Sequence, residues 1–168
     1  MGFEQTIAHY QATGKLGGGG LSWWSSWSVS GTHYLVSSNR SAEAFAIEDI
    51  DWDGFSRVVA QAPKDSKSTA YEARWAPDGS RFVFALLDDV AHTSKLMLSN
   101  ASGGPAIKIA DLGKIGARIY SWSPDGQWFA AVGIGSKGKP QVVKIKTIAG
   151  ATPVPLTNAD LDLVGQLM

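Results

Sequence analysis

The residues of this chain best suited to bind a metal ion are three alternating aspartates followed by a glycine. A D-x-D-x-D-G run forms the first half of an EF-hand calcium loop, and here it consists of Asp49, Asp51, Asp53 and Gly54. The twelfth loop position is Ala60 and not the bidentate glutamate of a complete loop. The run therefore predicts an exposed turn with its corner at Asp53 and Gly54, and a weak, incomplete calcium site at the three aspartates is the alternative.

A glycine-rich segment and the histidines are the other candidates for chemistry. Residues 133–138 match G-x-G-x-x-G, but nucleotide binding needs a helix N-terminus after the glycines, whereas residues 140–145 read as a strand. We therefore predict a hairpin loop at this segment. His9, His33 and His92 lie far apart, without the paired spacing of zinc ligands. No G-x-S-x-G motif occurs, so the sequence indicates neither catalysis nor a cofactor.

The composition argues against several classes of partner. Lys and Arg together number 15, and so do Asp and Glu. The chain therefore has no excess of positive charge that would attract nucleic acid or anionic lipid. Cysteine is absent, which excludes disulfides and thiolate metal sites. The first residues lack a basic stretch followed by an apolar run, and no run of about 18 apolar residues occurs. The sequence as given shows no signal peptide, which is compatible with its removal or truncation, and we expect no membrane insertion.

The clearest pattern in the chain is a repeat. Three tryptophans, 48 and 47 residues apart, each open one frame: aromatic, small, two turn residues, glycine, polar, then an apolar run. The frame residues are Trp27 and Gly31 in the first copy, Trp75, Pro77, Asp78 and Gly79 in the second, and Trp122, Pro124, Asp125 and Gly126 in the third. A fixed period of this size is typical of an array built from one supersecondary unit.

Each frame predicts a β-hairpin. Pro presets φ, Asp bonds its own backbone and Gly accepts positive φ; the first copy has Val29 and Ser30 in place of Pro-Asp, so its turn is less preset. Two more strands follow in each period, for example Lys95–Ser99 and Ala106–Ala110 in the second. Four strands per roughly 40 to 50 residues make a propeller blade. The predicted fold is all-β, a partial β-propeller of consecutive four-stranded antiparallel blades.

The tryptophans divide into two groups. Trp27, Trp75 and Trp122 recur with the period, so we predict that they pack between neighbouring blades. Trp23 and Trp24 do not recur and precede the first frame, near the expected channel entrance. These two are therefore candidate binding residues for a sugar or a peptide.

The repeats resemble a known family. The segments WAPDGSRFVFA and WSPDGQWFAAV resemble the WD-like W-S-P-D-G repeat of TolB-like β-propellers, as does the S-N-R run at residues 38–40 followed by the D-x-D-G turn. The resemblance covers about residues 21–158, or about three repeats. It implies a non-catalytic scaffold that binds a protein or peptide partner. The alternative that it implies is the substrate gate of a prolyl-oligopeptidase-type serine peptidase whose catalytic domain is absent from this chain.

The resemblance also bears on location and organisation. Such propellers are often exported, which implies a soluble, periplasmic or extracytoplasmic protein. Residues 1–20 form an N-terminal segment, read either as the outer strand of a preceding blade or as a disordered leader. Residues 21–168 form one domain of three blades plus the first strand of a next one. Because four to eight blades close a ring, we expect either a fragment of a longer propeller or self-association of two copies.

Overall fold

The part of the chain that the computed structural model describes, residues 22–38, 45–114, 119–134 and 138–156, consists of strands and turns. Twelve β-strands form three four-stranded sheets in these ranges, and no helix occurs in them. Within each sheet, every strand pairs antiparallel with its neighbour in sequence. Each sheet is one propeller blade, so the predicted all-β fold is confirmed.

The strands follow the chain order from one edge of each sheet to the other. The first blade contains β1 (Ser22–Trp27), β2 (His33–Ser38), β3 (Ala46–Asp51) and β4 (Ser56–Gln61). The second blade contains β5 (Ser68–Trp75), β6 (Arg81–Asp88), β7 (Thr93–Asn100) and β8 (Ile107–Gly113). The third blade contains β9 (Ile119–Trp122), β10 (Trp128–Ile134), β11 (Pro140–Lys146) and β12 (Val154–Pro155).

Two sequence predictions concern segments beside these strands. The glycine-rich run at residues 133–138 joins β10 to β11, which pair up to Ile134 and Pro140, so a strand and not a helix follows the glycines. Residues 135–137 themselves lie outside the described part of the chain. The same is true of the predicted N-terminal segment, residues 1–20, and of the predicted strand near the C-terminus, residues 159–168.

The three frame turns have the same backbone geometry. The residue after each tryptophan donates its N–H to the carbonyl five residues on, at 2.8 to 2.9 Å, in the pairs Ser28 to His33, Ala76 to Arg81 and Ser123 to Trp128. The frame glycines have φ between +67° and +70°, in the left-handed region that favours glycine, and they are Gly31, Gly79 and Gly126. The hairpins therefore repeat with the sequence period.

Side chains stabilise these turns in two ways. Asp78 Oδ1 accepts from the Ser80 N–H at 3.0 Å, and Asp125 Oδ1 accepts in the same way from Gln127. The first turn has Ser30 at the aspartate position, and there Ser30 Oγ accepts from the Thr32 N–H at 3.5 Å. In the copy that departs from Pro-Asp, a serine therefore supplies this acceptor at a longer distance than the aspartates do.

Alternation along β6 explains how the blades pack. Successive residues of a strand point to opposite faces, and both faces of the second blade are covered. Phe82, Phe84 and Leu86 pack toward the first blade with Leu35 and Ile47. The intervening positions face the third blade in a second apolar cluster whose members include Val83, Ala85, Leu96, Phe129 and Ile145. This two-sided burial is why β6 reads as a continuous apolar run.

Trp27 does not pack between blades as the repeat predicted. Trp75 is 9% exposed, whereas Trp27 is 40% exposed. The reason is position, because the Trp27 side of the first blade faces away from the second blade and no blade lies there among the described residues. Its ring contacts Tyr34 and Trp52, with centroids 5.1 and 5.6 Å away.

Candidate functional site

The three alternating aspartates have separate roles. Asp49 lies at 3% exposure in an ion pair, and Asp51 Oδ1 accepts from the N–H groups of Asp53 and Phe55 at 3.0 and 2.9 Å. The described residues contain no group of three His, Cys, Asp or Glu side chains that could hold a metal ion. The structure therefore does not bring Asp49, Asp51 and Asp53 together as a calcium site.

Trp23 and Trp24 lie on the first strand of the first blade. The β5 strand contacts β1 and β2 more closely than β4, so the first strands converge at the narrow side of the wedge, toward the propeller axis. Trp23 pairs with Ser37, and a register shift between Trp23 and Ser25 makes Trp24 the extra residue of a bulge. Their side chains lie outside the described part, so their binding role stays a prediction.

A groove of about 690 Å³ opens between the first and second blades, at the end of the sheets that carries the frame turns. We call it the inter-blade groove. Its walls include the first frame turn, the second frame turn at Asp78 and Gly79, and the outer turn of the second blade at Ala101 and Ser102. Trp75 and a charged cluster described next complete the lining.

The charged cluster is built around a buried carboxylate. Arg57 Nη2 lies 3.0 Å from Asp49 Oδ2, and His33 Nδ1 lies 3.3 Å from Asp49 Oδ1. Asp49 is 3% exposed, while His33 and Arg57 are 47% and 45% exposed. Arg57 also donates to the carbonyls of Ala101 and Ser102, at 3.0 and 3.3 Å. One arginine therefore neutralises a buried charge of the first blade and ties it to the second.

The strand register shows what is unusual about this cluster. Asp49 pairs with Leu35 and with Arg57, and the equivalent row of the second blade is Val83, Leu98 and Ile107. Two charged residues thus replace two aliphatic ones. The sequence reading missed this, because Asp49 was grouped with its neighbours along the chain. Aligning the repeats strand by strand, and noting charges where another copy has Leu and Ile, would have found the site.

The interface between the second and third blades differs at the corresponding place. Arg81 occupies the position that His33 has in the first blade, and its Nη2 donates to the Gly126 carbonyl at 2.9 Å. The Arg81 guanidinium lies 5.6 Å from the centre of the Trp122 ring, in a cation–π contact. The Trp122 Nε1–H donates to the Arg74 carbonyl at 3.1 Å.

The frame aspartates are ionised at neutral pH and bound to their own turns. The backbone N–H and the hydroxyl of Ser80 hold the pKa of Asp78 below its usual value. The hydroxyl of Ser123, followed by the Gln127 N–H, lowers the pKa of Asp125 in the same way. Hydrogen bonds to a carboxylate favour its charged form. These contacts indicate that the motif organises the hairpins.

Solved structures similar to this chain support the fold. Putative TolB from Agrobacterium tumefaciens has a TM-score of 0.60 at 20% identity, over 82% of this chain and 46% of that one. A nidogen/laminin complex gives 0.59 at 9% identity, over 83% and 50%. Prolyl oligopeptidase B from Galerina marginata, bound to a hydrolysis and macrocyclization substrate, gives 0.51 at 14% identity, over 76% and 19%.

These likenesses define the class of fold. The chain has the fold of a partial β-propeller, similar to that of putative TolB, and it spans half or less of the length of each of these three chains. No protein-family model and no curated protein matches it. A membrane-crossing helix is not found among the residues described.

Proposed function

We propose that this chain is a non-catalytic binding module that takes a peptide segment of a partner protein in the inter-blade groove. The observation that carries the proposal is that charged residues line this groove at one blade interface, whereas the equivalent positions at the next interface are aliphatic. A volume of about 690 Å³ is in the range of ligand sites. The nidogen/laminin likeness, a protein complex by its title, supports a protein partner.

The groups around the groove support binding and not catalysis. His33 lies against Asp49, whose other oxygen is bound by Arg57. The serine hydroxyls are used by the first frame turn, where Ser28 Oγ accepts from the His33 N–H and Ser30 Oγ lies 2.7 Å from Thr32 Oγ1. Nucleophilic catalysis requires a hydroxyl or thiol bonded to a base side chain, and these contacts give none among the groove residues described.

Blocking the groove tests this proposal. Peptides would be selected on the folded chain, and their affinities measured on the parent and on Ser102→Trp, which places a large ring at the exposed groove wall. The matched control is Ala149→Trp, an exposed turn position of the third blade. We expect Ser102→Trp to weaken binding by at least about tenfold and Ala149→Trp to leave it unchanged. Equal affinities for the two variants would place the peptide site elsewhere.

The alternative function is the substrate gate of a prolyl-oligopeptidase-type peptidase. Its support is the likeness to prolyl oligopeptidase B, of which this chain covers 19%. The sequence that flanks this chain in the same reading frame would distinguish the substrate gate from the binding module. A G-x-S-x-G domain in the same frame would favour the gate, whereas further W-S-P-D-G repeats alone would favour the binding module. The TolB likeness supports an extracytoplasmic location, which cell fractionation would test.

A further inference from the structure

Two buried polar atoms of groove-lining side chains have no hydrogen-bond partner among the described residues. One is an acceptor, Asp49 Oδ1, on a side chain that is 3% exposed; His33 Nδ1 lies 3.3 Å from this oxygen without making a hydrogen bond to it. The other is a donor, the indole Nε1–H of Trp75, on a residue that is 9% exposed. Buried polar groups in folded proteins are nearly always paired, so an unpaired donor and an unpaired acceptor at one groove require an explanation.

Comparison with the third blade shows that the unpaired indole N–H of Trp75 departs from the repeat. Trp122, the equivalent residue of the third blade, donates its Nε1–H to the Arg74 carbonyl at 3.1 Å. Trp75 makes a backbone bond to the preceding blade, from its N–H to Ser26 Oγ at 3.2 Å, but its indole finds no acceptor. The third blade therefore makes this hydrogen bond, whereas the second blade, whose tryptophan borders the groove, does not.

We propose that the inter-blade groove recognises a carboxamide group, with the amide N–H donating to Asp49 Oδ1 and the amide carbonyl accepting from Trp75 Nε1–H. This inference rests on the proposed function, since it names the chemical group by which a peptide would be held. A carboxamide offers a donor and an acceptor without net charge. A carboxylate brings no donor to Asp49, and an ammonium group brings no acceptor to Trp75. The amide comes either from the peptide main chain or from an Asn or Gln side chain.

His33 controls access to the acceptor. Its ring lies 3.3 Å from Asp49 Oδ1 and is 47% exposed, so it covers this oxygen from the solvent side. The His33 backbone is fixed by the turn, where its N–H and its carbonyl both bond to Ser28. Rotation of the side chain therefore uncovers Asp49 without changing the hairpin. Removing the ring in His33→Ala should tighten amide binding several-fold.

Indole N–H signals give a direct test. The ¹⁵N-labelled chain would be titrated with propionamide, which mimics an Asn or Gln side chain, with N-methylacetamide, which mimics the main chain, and with propionate. Trp75→Phe assigns the Trp75 signal. We expect a saturable shift of that signal with one or both amides and none with propionate. A response to N-methylacetamide would indicate main-chain recognition, and a response to propionamide alone would indicate a side chain.

Two variants keep the test decisive. Asp49→Asn should abolish the response of the Trp75 signal. If Asp49→Asn fails to fold, Ser102→Trp, which leaves Asp49 intact, provides the test and should also abolish the response. No shift of the Trp75 signal with either amide, or an equal shift with propionate, would overturn the carboxamide assignment. If peptides still bound and Ser102→Trp still weakened their binding, the proposed peptide-binding function would remain supported. If the amides gave a saturable shift but Ser102→Trp weakened the binding of no peptide, the carboxamide site would be supported and the peptide-binding function refuted.

Discussion

The two blade interfaces of this chain are built on one scaffold and differ at one end. Both bury an apolar cluster beneath a frame tryptophan. At the turn side, the row that carries Leu98 and Ile107 in the second blade carries Asp49 and Arg57 in the first. Burying an ion pair costs desolvation that an aliphatic pair avoids, so a site that keeps one is a candidate for specificity. The difference teaches that residues which recur with the period form the fold, and that the proposed site lies where the residues depart from the period.

The largest expected effect concerns burial at the first interface. Trp75→Ala removes a ring that is 9% exposed, and we expect a loss of about 3 to 5 kcal/mol in the free energy of unfolding, because a core cavity remains. Trp27→Ala is the matched variant at a position 40% exposed, with an expected loss of about 1 kcal/mol. Urea unfolding measures both. Equal losses would mean that the two tryptophans are equally buried in solution.

The sequence indicated the strands and turns well because each is a local pattern. The Pro-Asp-Gly turns and the alternation of β6 are local patterns of this kind, and the first turn has the same backbone geometry although Ser30 stands in place of the aspartate. Two features could not be predicted from the sequence. The exposure of Trp27 depends on what lies against its blade, and the Asp49–Arg57 pair depends on cross-strand register, which a reading along the chain does not contain.

Single substitutions in the Asp49–Arg57 ion pair test which of the two charges is the more costly to leave without its partner. Arg57→Ile leaves the Asp49 carboxylate buried at 3% exposure with only His33 beside it. Removing one partner of a buried pair is strongly destabilising, and we expect a loss of about 3 kcal/mol. The reverse single change, Asp49→Leu, should cost less because Arg57 is 45% exposed and stays hydrated. If Asp49→Leu proved the more damaging in urea unfolding, the assigned order of burial would be wrong.

Self-association follows from the outward faces of the first and third blades. Trp27 and Trp52 are 40% and 38% exposed on the first blade, and Val154 is 43% exposed on the third. Exposed apolar faces favour association, so we expect a dimer at micromolar concentration. Light scattering measures the mass, and Trp27→Glu should return it toward the monomer. A monodisperse monomer for the parent chain would refute this expectation.

The smallest expected effect concerns the frame aspartates at low pH. Their pKa values are lowered in the folded chain by turn hydrogen bonds, from Ser80 for Asp78 and from Ser123 and Gln127 for Asp125. A lowered folded pKa gives stability that is present above the unfolded value, about 3.9, and is lost as the pH falls through the folded value. Asp78→Asn with Asp125→Asn should therefore flatten the loss of stability below about pH 4. An unchanged pH profile would contradict this role.

The most direct test converts the first interface into the second. The double variant Asp49→Leu with Arg57→Ile gives the first blade the aliphatic row found in the second. Replacing a buried ion pair by packed aliphatic residues is often neutral or stabilising, so the double variant should unfold at the same or a higher urea concentration than the parent. Its Trp75 indole signal should no longer respond to amides. A folded double variant that binds amides and peptides as the parent does would show that the charged row is not the site.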